Sequence, residues 1–436
     1  MPIKAAVIFV GMAGLAAPVL AGAPPPEFVQ FSPSASMAAL YRPDPVAFPD
    51  AHVGVIAMHR DSNYMSHIST TELAARGFYT LGVNTRCQNN EAACAPWEDN
   101  AFDLAQGVEL LRSIPEITHV VLIGASGGGP ASTFYQAVAE AGAGFCQDEA
   151  KVTQCGDGFE ALSPVDGIML MDAHTGNTVG FLRSINPSVT NDAEIMATNA
   201  APEYDAALDP FSAENGFDPN GSTYSPEWIK AYTDAQSRRI NGLIDLALER
   251  LEYVEANDLG DEPFIIPLAS GARIMQADLS IHAATNEPRN LLRNDGSVVS
   301  DAVVESVRVP TLRPGHPESF ETTTRMTLRS FLSVFGIRSA NALDDIEWCS
   351  SNNSTPCNVQ QIRVPLLVTA MGGHYFVRDN EQIFEMAASE DKEFYVIEGS
   401  SHGGTPCRAC EDTEGQYSNA TKNLFDLMAD WMNERY

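Results

Sequence analysis

The pentapeptide Gly124-Ala125-Ser126-Gly127-Gly128 sets a serine among glycines, directly after the β-branched run His119–Ile123 and ahead of a helical pattern over Pro130–Ala141. A G-x-S-x-G turn between strand and helix needs small neighbours because the chain reverses sharply. The strain of that reversal holds the hydroxyl clear of the sheet, with the N–H groups of the helix start behind it. A Gly-rich phosphate loop is the rival reading, but the stretch has neither the Lys-Ser/Thr of a P-loop nor G-x-G-x-x-G spacing. A serine becomes a nucleophile when a base removes its proton. The best base is His402, in Gly399-Ser400-Ser401-His402-Gly403-Gly404, because that loop follows the strand Glu393–Ile397 and precedes the last helix. In open α/β sheets, ligands bind at such strand ends. His59, His174 and His374 also follow strands. His59 is assigned to shaping the loop after the second strand, and His174 and His374 rank below His402.

A third member, a carboxylate, has to fix the imidazole tautomer and stabilise the imidazolium. Asp172 stands immediately after the strand Gly167–Met171, and Asp379 lies some way past the strand Pro365–Thr369, just before a helix. Asp172 is the preferred acid. Asp379 is the alternative, with helix N-capping as its competing role.

The elements that must hold these residues alternate. Strands are expected at Met37–Tyr41, His52–Met58, Phe78–Val83, His119–Ile123, Gly167–Met171, Pro365–Thr369 and Glu393–Ile397. Helices are expected at Ser66–Arg76, Trp97–Ile114, Pro130–Ala141, Asn380–Ala388 and Thr421–Arg435. This rhythm predicts a mostly parallel central sheet with helices on both faces. It breaks between Asp172 and Arg363, where only Pro226–Glu255 and Thr323–Phe335 read as helical. A large, mainly helical cap inserted after the strand ending at Met171 is therefore expected, with packing of its own. The domain reading is residues 24–175 and 362–436 for the core and 176–361 for the cap.

With the elbow around Ser126, the chain order Ser126, acid, His402 and the strands and helices about them, residues 37–175 and 362–436 resemble the α/β-hydrolase superfamily. The resemblance implies that fold, and an oxyanion hole made by the N–H of Gly127 and one from the loop after Met58, contributed by Arg60 or Asp61. Family members usually carry the acid after the strand equivalent to Pro365–Thr369 and less often after the equivalent of Gly167–Met171. The stretch Met371-Gly372-Gly373-His374 offers no carboxylate at the usual place. Serine as nucleophile argues against the dehalogenase and epoxide hydrolase members. The resulting expectation is a serine hydrolase acting on a carboxylic ester or lactone through an acyl-enzyme, with no cofactor and no metal. A peptidase or amidase using the same residues, and a non-catalytic binding protein on the same scaffold, are the alternatives. Phe181, Tyr204, Phe211, Phe217, Tyr224 and Trp228 either line a pocket for an apolar part of a small-molecule ester or form the core of the cap itself.

Composition narrows the partners. Of 436 residues, 57 are acidic and 26 basic, a formal net charge of −31. That disfavours nucleic acid and anionic membrane surfaces, which need a dense cationic face. Residues 1–23 read as a signal peptide: Lys4, an apolar run Ala5–Leu20, and the small exit Ala21-Gly22-Ala23. No later run is long and apolar enough for a transmembrane segment. Eight cysteines fall into local pairs, Cys87 with Cys94, Cys146 with Cys155, Cys349 with Cys357 and Cys407 with Cys410, and disulfides agree with export. A secreted or periplasmic location is expected.

Overall fold

The computed structural model describes residues 25–32, 34–87, 96–312 and 323–436. The expected signal peptide and the Cys87–Cys94 pairing fall on residues outside this set, wholly in the first case and through Cys94 in the second. Fourteen strands occur among the described residues: β1 (Glu27–Gln30), β2 (Met37–Tyr41), β3 (Val53–His59), β4 (Tyr79–Asn84), β5 (His119–Ala125), β6 (Gly167–Met171), β7 (Pro263–Ile266), β8 (Arg289–Leu292), β9 (Val298–Ala302), β10 (Thr324–Thr327), β11 (Ser339–Asn341), β12 (Asp345–Ile346), β13 (Leu366–Met371) and β14 (Lys392–Ile397). Ten form one sheet in the order β1-β2-β4-β3-β5-β6-β13-β14-β8-β9. The run from β4 to β8 is parallel, while β1, β2 and β9 pair antiparallel at the two edges.

The central strands read as continuous apolar runs because both faces are covered. Alternate side chains go to opposite cores. Val53, Val55, Val121, Ile123 and Met169 meet Leu424, Phe425, Met428 and Trp431 of the helix Ala420–Asn433. Ile56, Met58, Leu122, Ile168 and Leu170 face Leu104, Val108 and Leu111 of the helix Asn100–Arg112 and Phe134 of the helix Gly128–Ala141.

The insertion between β6 and β13 is more closely tied to the body than a detachable cap. Its longest helix, Pro226–Ala256, and the helix Leu328–Phe335 contribute Ile240, Leu243, Phe331 and Leu332 to the second of those cores. Its hairpin β8–β9 extends the central sheet beyond β14, an extension that the short polar run Arg289-Asn290-Leu291-Leu292 does not announce. The segment expected to be one helix from Thr323 to Phe335 is split: Thr324–Thr327 pairs with β7, and the helix starts only at Leu328, with Thr327 as its N-cap accepting from Ser330 N–H. The remaining aromatics form a smaller cluster in which Tyr224, Tyr232, Trp228, Phe211 and Phe217 meet Tyr375 and Phe376. Phe181 stacks on Phe335, and Tyr204 is exposed. Most of the aromatic set is thus core. Among the described residues, the expected pairs Cys146–Cys155, Cys349–Cys357 and Cys407–Cys410 are disulfides.

A buried ion pair fastens the insertion to the body: Arg183 Nη1 lies 2.7 Å from Asp379 Oδ1, with side chains 4% and 1% exposed. Breaking such a pair from one side strands a charge away from water. Arg183→Met should therefore cost about 3–5 kcal/mol of stability, and adding Asp379→Leu should recover most of it. Denaturant unfolding of both variants measures this, and an equal loss in single and double variants would contradict the pairing argument.

Candidate active site

β5 runs into Ser126, whose φ of 54° is left-handed, and the helix Gly128–Ala141 begins two residues later. The turn is stitched to its neighbours: Ser126 N–H donates to Met171 O (3.2 Å), and Ser126 O accepts from Gly129 N–H (3.0 Å) and His174 N–H (2.9 Å). Glycine is required at 128 because any Cβ there would overlap the Met58 carbonyl oxygen. At 127 a Cβ would lie 2.6 Å from His59 Nε2 and 2.9 Å from Asn177 Oδ1.

Asp172 follows β6, also with positive φ, 44°. Its N–H donates to Thr369 O (2.7 Å), and its Oδ1 accepts from Met371 N–H (3.1 Å). His402 is carried by the loop after β14. Cys407 N–H donates to Gly399 O and Gly373 N–H donates to Ser400 O, both at 2.8 Å, so the loop is tied at its base and to the turn after β13. The three expected side chains come together as a relay. His402 Nε2 is 2.8 Å from Ser126 Oγ, and His402 Nδ1 is 2.6 Å from Asp172 Oδ2. Asp379 does not reach His402. It sits in the first turn of the helix Val377–Met386, on Arg183 and 3.7 Å from His282.

Two further histidines join this relay. His174 Nε2 is 3.1 Å from Ser126 Oγ, and His374 Nδ1 is 2.7 Å from Asp172 Oδ2. Their only sequence signal is that each closely follows a strand, which does not separate them from ordinary loop histidines. The tautomers follow from the hydrogen-bond network. His402 has its proton on Nδ1, facing Asp172, which leaves Nε2 to accept from the serine hydroxyl. His174 then donates its Nε2–H to the serine oxygen.

Electrostatics keep most of this cluster neutral. Burial pushes His174 well below the usual imidazole range, reinforced by the charges of His402, His59 and Arg273. Burial likewise lowers His374, outweighing the raising effect of Asp172, and takes His67 to about 4 with help from His59 and His402. For Asp172, burial favours the acid form, but His374 and His402 together outweigh it and hold the carboxyl below the ordinary carboxylate range.

Of the two donors expected beside Gly127, Asp61 folds back on His59: its carboxylate is 2.9 Å from Nδ1, and its N–H points at the same nitrogen over 3.4 Å. His59 and Arg60 hold the Asp61 carboxyl near 2 against the opposing effect of burial. The Arg60 guanidinium pairs with Asp61 at 3.0 Å and lies over the Phe335 ring. The side chains turned toward Gly127 are His59 and Asn177.

Asp172, His374 and His402 present three donor atoms within 4.8 Å of one another, enough in type to hold a metal ion. Tetrahedral ligands about 2.1 Å from zinc stand roughly 3.4 Å apart. The 2.6 and 2.7 Å separations here are shorter than that, and an ion would have to push the rings apart.

No family model and no curated protein matches the chain. Solved structures do. A hypothetical protein from Pseudomonas aeruginosa is 14% identical, over 99% of this chain and 100% of that one, with a TM-score of 0.41. Est1E from Butyrivibrio proteoclasticus is 10% identical, over 94% and 98%, with a TM-score of 0.38. Proline iminopeptidase from Mycobacterium smegmatis is 10% identical, over 94% and 98%, with a TM-score of 0.37. At such identities and scores these structures carry no argument about activity. The chain's own strand order, its antiparallel β2 and the β5–Ser126–helix elbow are those of an α/β-hydrolase fold.

Two outcomes follow from this geometry. Gly128→Ala should destabilise by about 1–3 kcal/mol, read as a lower unfolding midpoint, because backbone rather than a flexible side chain blocks the new methyl. A wild-type midpoint would contradict the close approach. Asp172 has a depressed folded-state pKa, so the stability its charge contributes is present above its unfolded value, about 3.9. That contribution is lost as the pH falls through the lower folded value. The stability gap between wild type and Asp172→Asn should accordingly be widest above pH ~4 and narrow below it, measured by denaturant unfolding across pH.

Proposed function

We propose that the chain is an exported serine hydrolase that cleaves a carboxylic ester or lactone, with Ser126 as nucleophile, His402 as base and Asp172 as the acid. The observation that carries this reading is the continuous chain from Asp172 Oδ2 through His402 to Ser126 Oγ, 2.6 and 2.8 Å long in its two links, on a serine held in left-handed backbone. His402 Nε2 takes the hydroxyl proton as Ser126 Oγ attacks the carbonyl carbon, and Asp172 stabilises the imidazolium that results. Charge then develops on the carbonyl oxygen. The N–H of Gly127 heads the helix behind it, with Arg60 the remaining backbone candidate for a second donor and the His59 ring on the same side. Collapse of the tetrahedral intermediate returns the proton from His402 to the leaving alkoxide. Water, deprotonated by the same nitrogen, hydrolyses the acyl-enzyme.

His174 adds something the relay alone lacks. Its Nε2–H donated to the serine oxygen leaves the hydroxyl proton to His402 Nε2, 2.8 Å away, and so fixes the hydroxyl rotor. The disulfides Cys146–Cys155, Cys349–Cys357 and Cys407–Cys410 support an oxidising, secreted or periplasmic location. Among the described residues no helix is long and apolar enough to cross a membrane.

The test is fluorophosphonate labelling together with hydrolysis of a chain-length series of p-nitrophenyl esters. Ser126→Ala should lose both. Asp172→Asn should lower kcat by about 10⁴-fold, whereas Asp379→Asn should act on stability and leave the rate per folded molecule within about ten-fold. Labelling that survives in Ser126→Ala would overturn the assignment of the nucleophile, and a larger rate loss in Asp379→Asn than in Asp172→Asn would overturn that of the acid.

A further inference from the structure

We propose that His174 is a second catalytic histidine, whose Nε2–H stays directed at Ser126 Oγ through the reaction and speeds release of the acyl group more than its formation. This rests on the hydrolase reading above and goes beyond the fixed rotor of the resting serine: it assigns the ring a part in the step that frees the enzyme.

The segment that delivers the acid also delivers this ring. Two residues after Asp172, His174 is held at both of its backbone groups. Its N–H donates to Ser126 O at 2.9 Å, and its O accepts from Thr355 Oγ1 at 2.6 Å. Ala173, between the two, exchanges hydrogen bonds of 3.1 and 3.3 Å with the Asn380 amide. Phe376 packs steeply against the His174 ring, centroids 5.0 Å apart. A ring held in this way has little freedom to leave Ser126 Oγ, 3.1 Å from its Nε2.

The hydroxyl has one proton for two imidazoles. His402 Nε2, closer at 2.8 Å and backed by Asp172, takes it. A second nitrogen lone pair at 3.1 Å would repel the serine oxygen, whereas an Nε2–H there meets one of that oxygen's own lone pairs. The far side of the ring agrees. His174 Nδ1 is buried and, among the described residues, has no hydrogen-bond partner, so a proton there would be a stranded donor, the rarer fault in folded proteins. Burial, reinforced by His402, His59 and Arg273, keeps the ring neutral. It therefore adds a donor beside His402 without adding a positive charge that would oppose the His402 imidazolium.

The gain falls unequally on the two halves of the reaction. In deacylation, water gives a proton to His402 Nε2 as its oxygen attacks the acyl carbon. The tetrahedral intermediate then breaks its C–Oγ bond, the electron pair goes to Oγ, and the proton on His402 follows it, which leaves the carboxylic acid and the serine hydroxyl. His174 keeps its own proton throughout. The bond it donates is weakest to the ester oxygen of the acyl-enzyme, stronger to the hydroxyl of the resting serine, and strongest to the oxygen while that oxygen carries negative charge. Acylation starts from the hydroxyl and gains only the smaller difference. Deacylation starts from the ester and gains the larger one.

The test uses p-nitrophenyl pivalate, whose good leaving group and hindered acyl part let stopped-flow read acylation in the p-nitrophenolate burst and deacylation in the steady rate that follows. His174→Met should slow deacylation by about 100-fold and acylation by about ten-fold or less. Intact-protein mass spectrometry should then find the variant pivaloylated during turnover. His174→Gln, which presents an amide N–H in place of the imidazole one, should recover most of the deacylation loss. Equal slowing of the two steps in His174→Met, or no recovery in His174→Gln, at wild-type thermal midpoints, leaves the ring a packing role and overturns the proposal. NMR of isotope-labelled histidine rings in the wild-type protein needs no variant to fold: His174 should carry its proton on Nε2, and a proton on Nδ1 overturns the donor. Failure of the hydrolase reading looks different, as wild-type protein with no burst and no fluorophosphonate labelling.

Discussion

One fully buried carboxylate organises the candidate active site of this fold. Removing Asp172 from water as an anion costs several kcal/mol unless its lone pairs are engaged. They are engaged on both oxygens, by Met371 N–H on Oδ1 and by His402 on Oδ2, with His374 Nδ1 2.7 Å from the latter. Those partners come from the ends of β13 and β14, so satisfying Asp172 also aligns three neighbouring strand ends. The parallel registers that set Met171 beside Thr369 and Met371 beside Ile397 deliver the residues to that point. A slip of one residue in either ladder would turn the partners to the opposite face of the sheet.

The crowding of imidazoles around Ser126 has an electrostatic consequence. With His174, His374 and His67 kept neutral mainly by burial, Asp172 is the single full charge in contact with the serine–histidine pair. In the proposed reaction, a proton arriving on His402 would meet one carboxylate and, among the described residues, no competing imidazolium. His374 stands 2.7 Å from that carboxylate oxygen as a neutral imidazole. It steadies Asp172 without cancelling its charge, which is the condition under which the acid can still stabilise the His402 cation.

What was legible in the sequence was what is local. The elbow at Ser126 could be read because strand, glycines and helix are consecutive. His402 could be read because its loop follows a strand. The choice between Asp172 and Asp379 was not local: both follow strands, and what separates them is that Arg183, distant in sequence, claims Asp379. The same holds for His174 and His374, whose roles depend on which strand end lies beside which. Asp61 is a subtler case. Nothing in His59-Arg60-Asp61-Ser62 announces that the carboxylate turns back onto the imidazole two residues earlier. The hairpin β8–β9 joins the sheet edge with too few apolar residues to show a period.

The same long-range packing constrains how substrate reaches Ser126. A lid hinged near residues 176 and 361 would have to carry Phe181, Ile240, Phe331 and Phe335 out of a core they share with Leu104, Val108 and Phe134. Each large aromatic or aliphatic side chain so exposed costs about 1.5–3 kcal/mol, and the Arg183–Asp379 pair would be torn as well. The four named side chains alone come to about 6–12 kcal/mol, comparable with the whole stability of an ordinary domain, about 5–15 kcal/mol. The insertion is thus part of the folded body. Access is left to small movements of the cluster where Tyr375 and Phe376 meet Tyr224 and Trp228.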